Sequence, residues 1–182
     1  MPASGLFIER DGVLVERDGA ADAARLRLVA GAAATIVRLN RRGVPVVVVT
    51  DQPAIGRGEV SAEAYSAADA RLHEMLAAAG ATLTGIHVCP TAGPDARRKP
   101  RPGLILAAAR AHGLDLATSW LVGTAADDAR AAAQAGCAGA VLVGGVVGPD
   151  EDLGIVVAIA RDLADAPRVM IPRGGGCWHD RP

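Results

Sequence analysis

Aromatic residues are scarce in this 182-residue chain, which holds two tryptophans, one tyrosine and one phenylalanine. Charge of either sign is not in excess: 19 Lys and Arg stand against 20 Asp and Glu, a formal net charge of -1. That balance provides no broad basic field for nucleic acid or an acidic membrane, and nucleic acid is not an expected partner. Cysteine is sparse as well. Cys89, Cys137 and Cys177 lie far apart without a CxxC pair, which fits neither a disulfide framework nor a zinc cage, so reduced thiols are expected. No apolar run approaches membrane-spanning length, and the opening "MPASGLFIERDG" has no basic stretch followed by a long apolar one. The expected location is the cytoplasm, with no membrane partner.

What is present is apolar and small. Half of the residues (51%) are hydrophobic, with Ala, Val, Leu and Gly dominant, a composition suited to small-residue helices on a buried sheet. Apolar runs at Leu6–Ile8, Val44–Val49, Leu83–Val88, Trp120–Val122 and Ala140–Val143 predict strands. Ala-rich segments at Gly31–Arg42, Ser61–Ala79, Gly103–His112 and Asp127–Ala135 predict helices, ended by Gly43, Gly80, Gly113 and Gly136. Alternation of strand and helix requires parallel strands with right-handed crossovers, hence a single-domain α/β fold with an open, doubly wound parallel sheet. The domain is expected over residues 1–166, with Asp152–Leu163 as a closing helix and 167–182 as a loosely ordered tail. Cys177 and His179 in that Gly-rich tail are too few for a metal site.

Ligands of open α/β sheets bind beyond the carboxyl ends of the strands. Glu9 and Asp11 follow the first predicted strand, Thr50, Asp51, Gln52 and Arg57 the second, Arg97, Arg98, Lys99 and Arg101 the third, and Thr124, Asp127 and Asp128 the fourth. Any one polar loop is unremarkable. Acids, a hydroxyl and cations on successive strand ends together form a phosphate-handling set, with carboxylates for nucleophile, acid and metal and donors for phosphoryl oxygens.

The motifs "LFIERDGVL", "VVVVTDQPAIGRG", "RRKPRPGLIL" and "SWLVGTAADDARAAAQAGC" resemble, in order and spacing, those of the haloacid dehalogenase superfamily, specifically its histidinol-phosphate and heptose-bisphosphate phosphatase group. The resemblance implies a Rossmann-like fold without a large cap domain, in keeping with the short stretch between Asp11 and Gly31. It implies catalytic roles for Glu9, Asp11, Thr50 and Lys99: Asp11 as general acid and base, Thr50 holding the phosphoryl group, Lys99 neutralising it. Asp51, Gln52, Arg57 and Arg98 would reach the substrate, and Glu9, Asp11 and Asp128 would hold Mg²⁺.

Three positions depart from that pattern. The family's nucleophilic aspartate is Glu9, whose extra methylene displaces the carboxylate by more than ~1 Å, a misplacement that can cost ~10²-fold in rate. A metal-binding aspartate is replaced by Thr124, a poor magnesium ligand. An asparagine is replaced by Asp51, which brings negative charge near the expected phosphate. Asp127 and Asp128 also suit the first turn of the following helix, whose N-terminus favours acids. The zinc loop of related phosphatases is reduced to Cys89, with Thr91 at its histidine position, so no zinc is expected.

The leading expectation is a phosphatase homologue that is catalytically impaired or non-catalytic, with a protein partner as one use of the fold. The alternative is an active Mg²⁺-dependent phosphomonoesterase on a small phosphorylated metabolite such as a sugar phosphate. A dinucleotide-binding reading of the glycines in Val143–Gly148 is disfavoured, because no GxGxxG follows the first strand.

Overall fold

The computed structural model describes residues 3–18, 20–145 and 152–170. Six parallel strands make one sheet in the order β3-β2-β1-β4-β5-β6: β1 Leu6–Ile8, β2 Val46–Asp51, β3 Gly85–Cys89, β4 Trp120–Gly123, β5 Gly139–Val143 and β6 Val157–Ala160. The helices are α1 Ala32–Arg41, α2 Pro53–Gly56, α3 Ala62–Ala78, α4 Gly103–His112, α5 Ala126–Ala135 and α6 Ala166–Val169. The expected α/β doubly wound architecture is therefore present. Among the described residues of the segment from Asp11 to Gly31 there are only turns and isolated bridges, and no cap domain is inserted there.

The unbroken valine run of β2 is explained by cover on both faces. Val46 and Val48 join Leu6, Ile8, Ile36, Leu72 and Ala166 in one core, whereas Val47 and Val49 join Phe7, Leu104, Ile105, Leu121 and Ala132 in the other. Successive side chains thus enter opposite layers, α1, α3 and α6 on one face and α4 and α5 on the other. Burial of each such valine stabilises the fold by roughly 1.5–3 kcal/mol before entropy losses.

Two sequence expectations are corrected. The stretch Asp152–Leu163 is not a helix: Gly154 turns the chain at φ 68°, and Val157–Ala160 pairs with Ala140–Val143 as the edge strand β6. The alternating small and β-branched residues suit a strand, and the open edge of β5 supplies the backbone partners that a strand requires. The tail expected to be loose from residue 167 begins inside α6, where Pro167 and Met170 are buried against the sheet. Cys177, His179 and residues 146–148 of the Val143–Gly148 glycine run lie outside the described residues. Among the described residues, no helix is long and apolar enough to cross a membrane.

The topology positions the site. From β1 the chain steps outward to β2 and β3, then returns to β4 on the other side of β1. With all strands parallel, the carboxyl ends of β2, β1 and β4 form one rim, and the change of direction beside β1 opens the crevice where ligands bind in such folds.

Candidate active site

Glu9 leaves β1 with its backbone N–H bonded to the carbonyl of Val122 at 2.8 Å. Its carboxylate is engaged on both oxygens. One accepts the backbone N–H of Arg10 at 2.8 Å and the hydroxyl of Thr50, and the other accepts the ammonium of Lys99. Lys99 is itself buried and also donates to Asp128 Oδ1 at 2.5 Å. Asp128 Oδ2 accepts the backbone N–H groups of Thr124 at 2.9 Å and Ala125 at 3.0 Å. Asp128 therefore stabilises the start of α5, as expected from its place in the first helical turn, and anchors Lys99 at the same time.

Burial by itself would lower the Lys99 ammonium, yet Glu9 and Asp128 more than offset it and hold the lysine charged above its ordinary range. Burial pushes the Glu9 carboxyl above its ordinary value; Lys99 pulls it down, while the negative charge of Asp128 adds to the rise. Two carboxylates sharing one cation account for the rise of Lys99, whereas the rise of Glu9 comes first from burial. Asp51 is raised by burial too, against the pull of Lys99, whose backbone N–H donates to Asp51 Oδ2 at 3.1 Å.

Asp11 is set by two donors. Arg10 Nη1 reaches Asp11 Oδ1 at 2.8 Å, and Gln52 Nε2 reaches Asp11 Oδ2 at 2.8 Å. Gln52 is buried and does not line the cavity, so it positions Asp11 and Thr50 where substrate contact was expected. Arg57 is also displaced from its expected place: it faces outward in an ion pair with Glu59 at 2.6 Å, because the short helix α2 turns it away from the rim. Asp127 lies half-exposed at the cavity mouth and pairs with Arg130 at 3.1 Å. Cys89, at the end of β3, is a buried core residue.

Glu9, Asp11, Asp51, Arg98, Lys99 and Asp128 do converge. With Arg17, Thr124, Ala125 and Asp127 they line a cavity of about 270 Å³. It adjoins a shallower cavity of about 480 Å³ bounded by Ala92–Asp95 and Pro100–Arg101, the two sharing Arg98, Lys99 and Asp127. Two functional residues were missed in the sequence reading. Arg10 is fully buried, donates to the Ala20 carbonyl at 2.7 Å as well as to Asp11, and lies 5.2 Å from the Tyr65 ring centroid. Strand alternation did not mark it, because residues 9–11 lie beyond the end of β1. Arg17 reaches across the cavity to Thr124 Oγ1 at 2.7 Å, a contact between residues 107 positions apart that no local pattern encodes.

A parallel sheet whose carboxyl rim gathers paired acids, a hydroxyl and a buried lysine defines the class, a haloacid dehalogenase-like hydrolase fold. The family model for HAD-hydrolase-like proteins matches residues 96–166. A D-glycero-β-D-manno-heptose-1,7-bisphosphate 7-phosphatase of Mesorhizobium japonicum is 37% identical over 77% of this chain and 69% of its own length. Among solved structures, a HAD-like phosphatase of Mesorhizobium loti aligns with TM-score 0.79 and 34% identity over 88% of this chain and 81% of that one. The D,D-heptose 1,7-bisphosphate phosphatase of B. bronchiseptica, complexed with magnesium and phosphate, aligns with TM-score 0.76 and 30% identity over 89% and 95%. The chain belongs to the haloacid dehalogenase superfamily and, within it, to the heptose-1,7-bisphosphate phosphatase-like group.

Proposed function

We propose that this chain is a phosphate-monoester-recognising member of that group, with a small sugar phosphate as ligand, in which hydrolysis is severely impaired. The observation that carries the reading is the state of Glu9. A nucleophilic carboxylate has to turn a lone pair toward phosphorus, and of the roughly four that Glu9 has, three are taken, by Lys99 on one oxygen and by Thr50 and Arg10 on the other. The longer side chain delivers the carboxylate directly onto the lysine. Thr50, whose hydroxyl would otherwise hold a phosphoryl oxygen, is engaged in the same contact.

The relative's complex with magnesium and phosphate supports a magnesium requirement for turnover in this group. The side chains of this protein, as arranged, do not fit the ion. Glu9, Asp11 and Asp128 each have both oxygens bound to donors, and the oxygen of Thr124 accepts from a guanidinium. Magnesium favours charged oxygens in a near-octahedral shell, and these contacts would have to give way to form one. Among the described residues, no group of three or more His, Cys, Asp or Glu side chains is arranged to hold a metal.

The test is phosphate release from sugar phosphates, histidinol phosphate and an aryl phosphate in the presence of Mg²⁺. Glu9→Asp combined with Thr124→Asp is expected to raise turnover ~10²-fold or more, since it retracts the nucleophile and restores a charged ligand. Native protein already turning over at the rate of the double variant would overturn impairment. It would favour the second reading, an active Mg²⁺-dependent phosphomonoesterase, which the placement of Asp11 on the cavity wall supports. In that case Asp11→Asn abolishes release.

A further inference from the structure

Among the described residues, most carboxylates at the cavity are held by cations or side-chain donors, Asp51 keeping one buried oxygen without a partner, while two guanidiniums donate only to neutral oxygens. Glu9 and Asp128 share Lys99, Asp11 receives Arg10 and Gln52, Asp127 pairs with Arg130, and Asp51 accepts the Lys99 backbone N–H. Arg17 Nη2, by contrast, donates to the Thr124 hydroxyl at 2.7 Å, and Arg98 Nη1 donates to the Ala92 carbonyl at 2.6 Å. Such partners satisfy one N–H and cancel no charge. Both side chains line the cavity, so each offers unused guanidinium donors to an incoming anion, beside the carboxylates of Glu9, Asp11, Asp51, Asp127 and Asp128 that line it as well.

The loop after β1 places Arg17 there. The Gly12 N–H donates to the Val15 carbonyl at 2.7 Å, closing a turn in which Gly12 has φ 84°. A Cβ on Gly12 would come within 2.9 Å of Arg17 Nε, so the bare glycine lets the arginine fold back over the loop toward Thr124. Thr124 completes the arrangement because a hydroxyl holds the guanidinium without neutralising it. Compared with a cavity having a carboxylate at 124, no arginine at 17 and a bound divalent cation, replacing the carboxylate by a hydroxyl restores one positive charge and Arg17 a second. Asp51, standing where the family pattern has asparagine, takes one of these back, so Thr124 and Arg17 together replace part of what the ion would bring.

We propose that Arg17 takes the electrostatic place of a divalent cation, so that this cavity binds a phosphate group without metal, with Arg98 as a second donor. The inference rests on the reading of the cavity as a phosphate site, and calorimetric titration of the full chain with inorganic phosphate separates the two. Native protein is expected to bind phosphate equally well in excess EDTA and in Mg²⁺. Arg17→Gln is expected to weaken metal-free binding roughly tenfold or more, with Arg17→Lys recovering part of the loss. Because Arg17 is exposed, both variants should keep the native far-ultraviolet circular dichroism. Thr124→Asp supplies a second route: a carboxylate there pairs with Arg17 and should abolish binding in EDTA while allowing it in Mg²⁺. Native binding that requires Mg²⁺ overturns the inference and leaves the phosphate site standing. Absence of binding in both conditions overturns both. Metal-free binding unchanged in Arg17→Gln, or retained in Thr124→Asp, removes Arg17 from this role.

Discussion

One ammonium serving two buried carboxylates links the site to pH from both sides. Because burial raises Glu9, the native chain keeps that proton to higher pH than the unfolded chain does, so stability falls as pH rises from the ordinary value of 4.5 through the raised one. Glu9→Gln is expected to flatten part of that slope in urea titrations run from mildly acidic to neutral pH, while Asp51 and Asp69, also raised by burial, keep their share. Lys99 acts at the alkaline end: its contribution is complete below the ordinary 10.5 and is lost as pH rises through the elevated native value. Arg10→Met removes a buried cation and leaves Asp11 with only Gln52 as donor. Because Asp11 is partly exposed, the expected cost is about 2 kcal/mol, read from the urea midpoint. Much of this site could be seen in the sequence, since Glu9, Asp51 and Asp128 lie within two residues of recognisable strand or helix ends, and Asp11 and Lys99 within four. Arg17, Arg57 and Gln52 could not be placed, because side chains that reach across loops are oriented by tertiary contacts rather than by local spacing.

At the scale of elements, the junction of β4 and α5 is the tightest part of the rim. A Cβ on Gly123 would stand 2.4 Å from Cβ and Cγ of Asp128, so only glycine lets the strand end approach the helix start this closely. Gly123→Ala is expected to displace Asp128 from Lys99 and destabilise the chain by about 1–3 kcal/mol, with loss of phosphate binding in the same protein as the second readout. The helices α1, α3, α4 and α5 and the inner strands were legible because periodicity and terminal glycines agreed, and Gly113 and Gly136 do cap α4 and α5 in the left-handed conformation. Strand β6 was not legible. Its short apolar run at the end of the chain fits either period, and the deciding influence is the open edge of β5, which exists only once the sheet has formed.

For the whole molecule, a ligand held at the junction of β1, β2 and β4 should stabilise the entire sheet. Phosphate at 100 times its dissociation constant is expected to add about 2.7 kcal/mol, seen as a rise in the thermal midpoint that Arg17→Gln reduces. The division of labour between rim and sheet has a further consequence. Glu9 and Thr124 lie just beyond the strands and Asp51 at the last residue of β2, while Leu6–Ile8, Val46–Val49 and Trp120–Val122 carry the core without touching solvent appreciably. Charge can therefore be exchanged at the rim with little effect on the ability to fold. A descendant of such a chain can fall catalytically silent, persist as a well-folded protein, and regain or redirect its chemistry through a few side chains, because the core that natural selection must preserve for folding is not the part that determines turnover.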